Sequence, residues 1–261
     1  MIDMTVNDLT AGYGRKTVIR DVSFSLEKGE LAVLLGLNGS GKTTLLRTLA
    51  GLIKPFSGTV EVKGRNLLSL GEKERAKLVS YTSQRPGSPE GLTLLDMVLM
   101  GYNAYLPLLS QPSKAEKEAA IQGIAAVSLE DKTNEPFNSL SEGQKQLGVL
   151  ARSLIQASPI MLMDEPESAL DYRNRILLLE RIASAVKKSS KTALLTMHAP
   201  EYALRYADRI LAMKDGRIIR NISVGSTNLE ELEECMRAIY GNVRIVKYGS
   251  SSYTLVPEDE I

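Results

Sequence analysis

The chain contains few of the residues that characterise secreted, disulfide-stabilised proteins. Its 261 residues include one cysteine, one histidine and no tryptophan. The single cysteine, Cys235, excludes an internal disulfide and is typical of a protein from a reducing compartment. Residues 1–4 lack the basic and apolar regions of an export signal, so we expect no such signal. These absences favour a protein of the cytosol.

The sequence also lacks a large net charge and a long uninterrupted apolar segment. Lys and Arg number 32 against 31 Asp and Glu, and the formal charge of +1 provides no basic field for nucleic acid. The most apolar stretch, residues 91–109, contains Asp96 and Asn103 and is interrupted by Gly101 and Pro107. These interruptions leave no apolar segment long enough to span a bilayer. It is apolar enough to contact a membrane protein, or equally to belong to a core.

The most informative stretch is residues 31–51, LAVLLGLNGSGKTTLLRTLAG. Five apolar residues at its start predict a strand that is buried on both faces. Residues 36–43 then match the pattern G-x-x-x-x-G-K-[ST] of a phosphate-binding loop. Leucines at helical spacing follow, and Gly51 is a plausible helix terminator. This order of strand, loop and helix predicts a nucleotide-binding site rather than a chance glycine-rich turn.

Phosphate binding requires this order of elements. Glycines let successive backbone N–H groups point at phosphate oxygens, and the following helix directs its unpaired N–H groups and positive dipole end at the same anion. We expect Lys42 to reach the β- and γ-phosphates and the Thr43 hydroxyl to bind Mg²⁺. The residues predicted to bind the phosphates are Gly36, Leu37, Asn38, Gly39, Ser40, Gly41, Lys42, Thr43 and Thr44.

Two short predicted strands, residues 4–10 and 22–26, precede this loop and are joined by residues 11–15. Tyr13 lies between two glycines in that connection. An exposed aromatic ring at this place can stack on an adenine, but Gly-Tyr-Gly is also an ordinary turn. The residues alone leave both interpretations open.

Polar side chains follow three other predicted strands. Asp164 and Glu165 end an apolar run, where an Asp can hold Mg²⁺ and a Glu can orient an attacking water. Two surface acids in a turn are the alternative interpretation of this pair. Gln84 lies just beyond another predicted strand, at the edge where open α/β sheets bind ligands. His198, the only histidine, follows a third apolar run and is expected at the same edge.

Between residues 85 and 157 the pattern is mainly helical, with helices predicted over 92–101, 114–127 and 142–157. An insertion of helices between two strand regions indicates a subdomain. Its last helix begins at residues 140–144, LSEGQ. Ser141 followed by Gln144 is a capping box, which by itself explains this pattern.

Together these motifs resemble the ATP-binding cassette (ABC) family over nearly the whole chain. The motifs that occur in the family's order and approximate spacing are the phosphate loop, Gln84, residues 140–144, Asp164 with Glu165, residues 168–171 and His198. The resemblance implies an α/β fold of the P-loop NTPase class, with a RecA-like core, an antiparallel β subdomain and an inserted helical subdomain. It implies an ABC ATP-binding domain over residues 1–240, with the helical subdomain at about 85–157, followed by a strand-pair extension over 241–261.

The resemblance also implies a role for each motif residue. Tyr13 stacks on adenine, Asp164 holds Mg²⁺ and Glu165 acts as general base. Gln84 senses the metal and the attacking water, and His198 contacts the γ-phosphate. Ser141, Gly143 and Gln144 act on the ATP of a second copy of the chain, across a head-to-tail dimer, with Asp171 near that interface. The implied metal ligands are Thr43, Gln84 and Asp164, and the implied catalytic residues are Glu165, His198 and Gln84.

One residue departs from the family pattern. The third residue of the 140–144 motif is usually Gly in the family, and here it is Glu142. A carboxylate that faced the nucleotide would weaken dimer closure, whereas one that points to solvent would be harmless. We expect the second arrangement.

The implied function is that of the ATPase subunit of an ABC importer. Residues 96–101 (DMVLMG) and 238–241 (AIYG) look like those of ATPases from iron-siderophore, haem and cobalamin importers. The implied cofactors are ATP and Mg²⁺. The implied partners are a second copy, transmembrane permease subunits that dock near residues 85–110 and, indirectly, an extracytoplasmic solute-binding protein, with no nucleic acid. The implied location is the cytoplasmic face of the cell membrane.

Two alternatives remain open at this point. A soluble ABC ATPase that acts on nucleic acid or ribosomes would bind nucleic acid in a salt-sensitive manner, and the near-neutral charge and the single cassette argue against it. A phosphotransferase would use the same phosphate loop, and residues 140–144 would then be dispensable.

Overall fold

Three sheets organise the chain, which the computed structural model describes over residues 1–84, 87, 90–107, 110–248 and 252–258. The first sheet is antiparallel and has the strand order β2-β1-β4-β5. Its strands are β1 (Ile2–Tyr13), β2 (Lys16–Glu27), β4 (Ser57–Val62) and β5 (Arg65–Asn66).

The central sheet has six strands in the order β10-β9-β3-β8-β7-β6. All neighbouring pairs are parallel except β9 and β10, which form an antiparallel hairpin. The strands are β3 (Leu31–Leu35), β6 (Val79–Thr82), β7 (Ile160–Asp164), β8 (Thr192–Met197), β9 (Arg209–Lys214) and β10 (Arg217–Ser223). A third sheet pairs β11 (Val243–Tyr248) with β12 (Ser252–Pro257).

Helices lie between the parallel strands of the central sheet, because parallel neighbours cannot be joined by a tight hairpin. In chain order they are α1 (Lys42–Leu49), α2 (Glu72–Leu78), α3 (Leu94–Leu99), α4 (Lys114–Ala126), α5 (Glu142–Ile155), α6 (Tyr172–Ser189), α7 (Pro200–Tyr206) and α8 (Leu229–Tyr240). Helices α3, α4 and α5 all lie between β6 and β7 in the sequence. The predicted α/β class, with an antiparallel sheet and an insertion of helices, is confirmed.

The central sheet separates two hydrophobic cores. Leu31, Val33 and Leu35 of β3 belong to the core on one face, which includes the inserted helices, while Ala32 and Leu34 belong to the core beneath the antiparallel sheet. Alternate strand residues point to opposite faces, so a strand covered on both sides must be apolar throughout. This explains the uninterrupted apolar run that precedes the phosphate loop.

Several predicted bounds differ from the structure. The first two strands are longer than predicted, and Tyr13 ends β1 opposite Lys16, so only Gly14 and Arg15 form the turn. Helix α7 was not predicted, because its seven residues are too few to show a helical period. Pro200 at the first turn of α7 was the one local signal, since proline favours that position.

The apolar stretch over residues 91–109 is buried in part, chiefly through helix α3. Leu94, Met97 and Val98 of α3 are buried in the core that contains the inserted helices. The interpretation of these leucines as core residues is therefore correct for α3. Residues 85, 86, 88, 89, 108 and 109, which belong to the predicted docking region, lie outside the described residues. Among the described residues, no helix combines the length and hydropathy needed to cross a bilayer.

Candidate nucleotide-binding site

The carboxyl ends of the parallel strands bring the predicted site residues to one edge of the central sheet. Strands β3, β8, β7 and β6 are consecutive neighbours in that sheet. The phosphate loop follows β3, His198 follows β8, Glu165 follows β7 and Gln84 follows β6 after one residue. Residues separated by more than 100 positions in the chain therefore meet, as Thr43 and Asp164 do.

The phosphate loop adopts a conformation that requires glycine. Gly39 has a φ of 79° and Gly41 a φ of 107°, both in the left-handed region that other residues rarely adopt. A Cβ atom at Gly36 would lie 2.3 Å from the carbonyl oxygen of Met213, so that backbone approach excludes any side chain. Gly41 also forms the N-terminal cap of α1, without a side-chain hydrogen bond. The unpaired N–H groups at the start of α1 consequently face the loop.

Lys42 directs its ammonium group into this loop. Its Nζ donates to the carbonyl oxygens of Gly36 at 2.8 Å and Leu37 at 3.1 Å, and the side chain is only 5% exposed. Burial lowers the pKa of Lys42, and the carboxylates of Glu165 and Asp164 oppose that shift. The result is a cation held within the loop that the sequence assigns to phosphate.

Asp164 is buried and connects the phosphate loop to two strands. Its Oδ1 accepts hydrogen bonds from the Thr43 hydroxyl at 3.2 Å and from the Thr196 hydroxyl at 2.8 Å. The Thr196 hydroxyl in turn accepts a bond from the backbone N–H of Glu165 at 2.8 Å. Thr196 thus orients both acidic residues, and it was not predicted. A hydroxyl inside the apolar run of β8 was the only sequence signal for it.

Glu165 brings the three predicted catalytic side chains together. Gln84 donates through Nε2 to Glu165 Oε2 at 2.7 Å, and His198 Nε2 is paired with Glu165 Oε1. The Glu165 side chain is only 12% exposed. Its backbone has a φ of 47°, a left-handed conformation that is uncommon for a residue with a side chain and that is concentrated at functional sites. Gln84 also contacts the Ser168 hydroxyl, at 3.3 Å.

Tyr13 lies beside the phosphate loop, at the end of β1. The residue is 49% exposed and lines one pocket together with Lys16, the loop and Glu165. An exposed ring at the mouth of a phosphate pocket is suitably placed to stack on a base.

Among the described residues that line the pocket beside the phosphate loop, none belongs to the 140–144 motif. The Ser141 hydroxyl accepts a bond from the Gln144 N–H at 3.3 Å, and Gln144 Oε1 accepts one from the Ser141 N–H at 2.9 Å. The predicted capping box is therefore present at the start of α5. Glu142 is 65% exposed and forms an ion pair with Lys145 at 2.9 Å, so its carboxylate points to solvent as expected.

The residues around Asp164 have the chemistry of a magnesium site. Mg²⁺ prefers oxygen ligands and usually takes one or two from the protein, with the rest from phosphate and water. Asp164 and the Thr43 hydroxyl supply two such oxygens next to the loop. Within the described residues no cluster of three or more His, Cys, Asp or Glu side chains forms a metal site.

Comparison with known proteins identifies the family. Residues 19–168, more than half of the chain, match the family described as ABC transporter. A probable siderophore transport system ATP-binding protein of Bacillus subtilis is 38% identical over 84% of this chain and 79% of its own length. A probable iron chelatin transport ATP-binding protein of Helicobacter pylori is 34% identical over 94% of this chain and 98% of its own.

A solved structure has the same fold. It is a dimeric ATP-binding cassette in a post-hydrolysis state with ADP and phosphate, 25% identical to this chain, with a TM-score of 0.73 over 85% of this chain and 98% of its own. A protein of the same fold thus binds nucleotide and forms a dimer. The chain belongs to the ABC transporter family and is an ATPase that binds ATP.

Proposed function

We propose that this chain is the ATP-hydrolysing subunit of an importer of iron chelates. The observation that carries the ATPase function is the position of the Glu165 carboxylate, which is held by Gln84 and His198 next to the phosphate loop. Support for the solute class comes from relatives that are named for siderophore and iron chelatin transport.

Within this proposal, Glu165 is the general base. A base must lie within hydrogen-bond reach of the water that it activates, and the two neighbours of Glu165 hold its oxygens at the pocket wall. Gln84 positions the same carboxylate and would sense the metal and the attacking water, while His198 would contact the γ-phosphate. Lys42 and the loop N–H groups bind the phosphates, and Tyr13 stacks on adenine.

Mg²⁺ is proposed as the metal cofactor, with Thr43, Asp164 and Gln84 as its protein neighbours. When bound, the ion neutralises charge on the β- and γ-phosphates. The Thr43 and Asp164 oxygens already lie 3.2 Å apart, and Thr196 keeps the carboxylate oriented toward the loop. The protein residues thus prepare the oxygen ligands before nucleotide arrives.

We also propose a head-to-tail dimer with two composite sites. Ser141, Gly143 and Gln144 lie at the N-terminus of α5 and outside the pocket of their own chain. A helix N-terminus is suited to bind an anion, so these residues would close over the γ-phosphate of a second copy. A dimeric cassette among the solved structures supports this assembly.

The remaining partners are membrane subunits. We propose that a permease docks near residues 85–110, where Met100 is 36% exposed next to Leu52, which is 64% exposed. An extracytoplasmic solute-binding protein would act through that permease, with this chain at the cytoplasmic face of the membrane.

The proposed domain bounds are 1–240 for the cassette, with its helical insertion at about 85–157, and 241–261 for the extension.

The substitution Glu165→Gln tests the ATPase assignment. It replaces the carboxylate by an amide of the same size, so ATP binding should persist while the ATP hydrolysis rate falls by about a hundredfold or more, the contribution of a general base. The measurement is steady-state phosphate release together with equilibrium binding of ATP and Mg²⁺. Glu118→Gln on the exposed face of α4 is the matched control and should keep the parent rate. Undiminished hydrolysis by Glu165→Gln would refute the role of Glu165.

The nucleic-acid alternative gains no support from these comparisons. The relatives reported above are named as transport proteins. The formal charge of +1 also provides no overall basic field to attract nucleic acid.

A further inference from the structure

The C-terminal helix α8 contacts the main chain of His198. The Tyr240 hydroxyl, at the end of α8, donates a hydrogen bond to the His198 carbonyl oxygen at 3.3 Å. Burial raises the pKa of Tyr240, and nearby Glu201 adds to that shift, so the phenol keeps its proton and acts as the donor. Tyr240 belongs to the segment 238–241, which has no role in the proposed mechanism.

His198 lies in the short connection between β8 and α7, where neither element supports its backbone by regular hydrogen bonds. It follows the last residue of β8 and precedes α7, whose N-terminal cap is Ala199. The backbone at His198 is therefore beyond the strand and before the helix. Its imidazole is paired with Glu165, so any shift of this backbone would move the imidazole relative to the proposed base.

Helix α8 is firmly anchored and can serve as a fixed support. Its buried face, with Leu232, Cys235, Met236 and Ile239, packs in the larger core. Lys214 of β9 donates to the Ala238 carbonyl oxygen at 3.3 Å.

The strand pair β11–β12 is tied to the same helix. Arg237 donates to the Val243 carbonyl oxygen at 3.0 Å and to Glu258 at 2.7 Å. Glu233 accepts a bond from the Ile245 N–H at 2.8 Å. Tyr240 is consequently held by the body of the protein on one side and by the C-terminal strands on the other.

We propose that Tyr240 is a positioning residue, which holds the His198 backbone so that the imidazole stays paired with Glu165 during ATP hydrolysis. This inference depends on the proposed ATPase function. It assigns to the C-terminal helix a part in catalysis that acts entirely through His198.

The test combines one spectroscopic and one kinetic measurement on the full chain. Because the sequence has one histidine, labelling histidine with ¹³C at its carbonyl yields a single signal from His198. Tyr240→Phe removes only the hydroxyl and keeps the ring, which is half-buried against the larger core. We expect it to shift that signal and to lower kcat for ATP about fivefold, the equivalent of one net hydrogen bond, with KM unchanged.

Tyr206→Phe is the matched control. The Tyr206 hydroxyl, on α7, is buried and has no hydrogen-bond partner among the residues that the structure describes. Removing it should leave both the His198 signal and kcat at their parent values.

An unmoved His198 signal in Tyr240→Phe, or an unchanged kcat, overturns the proposal, as does an equal change in Tyr206→Phe. Failure of the ATPase assignment looks different, since the parent protein would then hydrolyse no ATP or Glu165→Gln would hydrolyse it at the parent rate. The role of Tyr240 is supported if the parent hydrolyses ATP and only Tyr240→Phe lowers kcat and shifts the His198 signal.

Discussion

Glu167 is a buried acid two residues beyond the proposed general base. It is 4% exposed, and its Oε2 has no hydrogen-bond partner in the part of the chain that the structure describes. The pKa of Glu167 is raised from 4.5 to about 7, and burial is the main cause. The nearby Glu165 carboxylate also raises this pKa, whereas a backbone hydrogen bond and the Arg175 guanidinium lower it. Burying a charge without a full set of partners is unfavourable, so this group is neutral over much of the acid range.

The stability of the protein should therefore fall as the pH rises through this range. An acid whose folded pKa exceeds its unfolded value binds more protons in the native state. Its stabilisation is fully present below about pH 4.5 and is lost as the pH approaches about 7. Glu167→Gln stays neutral, so the parent should lose roughly 2 to 3 kcal/mol more unfolding free energy than this variant between about pH 5 and pH 8.

Urea denaturation at the two pH values measures this difference. Glu118→Gln, which alters an exposed carboxylate, should follow the parent at both. Parallel pH dependence in the parent and in Glu167→Gln would show that folding does not raise the pKa of Glu167.

Two of the inserted helices, α4 and α5, begin with a capping box that has serine as its first residue. At α5 the Ser141 hydroxyl accepts from the Gln144 N–H, and at α4 the Ser113 hydroxyl accepts from the Glu116 N–H, each at 3.3 Å. In both helices the third residue also bonds back to the cap N–H. The local structure of the 140–144 motif is thus that of an ordinary helix start.

This similarity separates the structural role of Ser141 from its proposed function. Ser141→Ala and Ser113→Ala should each destabilise the protein by about 1 kcal/mol, the usual loss for a serine cap. Only Ser141→Ala should reduce ATP hydrolysis, because only Ser141 would contact the nucleotide of a second copy. Thermal unfolding and phosphate release on both variants make the comparison. Equal hydrolysis rates in the two would indicate that Ser141 is a cap and nothing more.

The surface around the start of α5 is the proposed contact with a second copy of the molecule. Glu142 is paired with Lys145, so the extra carboxylate brings no unbalanced charge to this surface. A Cβ atom at Gly143 would lie 3.1 Å from the Asn174 side chain, which can move away. Gly143 is itself buried, and Asn174 is hydrogen-bonded to Asp171 at 2.8 Å, so a side chain at Gly143 requires Asn174 to shift.

We expect the Glu165→Gln protein to form a dimer with ATP and Mg²⁺ and to remain a monomer with ADP. Unhydrolysed γ-phosphate would keep the two copies joined. Adding Gly143→Asp should abolish the dimer, because it adds a negative charge to the proposed phosphate contact, and thermal unfolding of the variant checks that it still folds. Gly225→Asp, at a glycine with open space around it, adds the same charge elsewhere and should leave the dimer intact. Light scattering gives the mass, and a monomer under all conditions would refute the composite site.

The sequence by itself determined the class of the site and most of its elements. The phosphate loop, the capping box at Ser141 and the apolar strand over residues 31–35 are local patterns, and each depends on the conformation of a few consecutive residues. Polar residues at strand ends also pointed to Gln84, Glu165 and His198, since parallel strands place their carboxyl ends together. The order of these motifs was enough to indicate the family.

Only the tertiary structure decided which side chains touch. Gln84 and Glu165 are 81 positions apart and meet because β6 and β7 are neighbours in the sheet, an order that no local pattern encodes. Thr196 and Tyr240 resemble ordinary strand and helix residues in the sequence, and their bonds to Glu165 and His198 come from packing between distant segments. Local propensity acts over a few residues, whereas these contacts depend on how whole elements share a core.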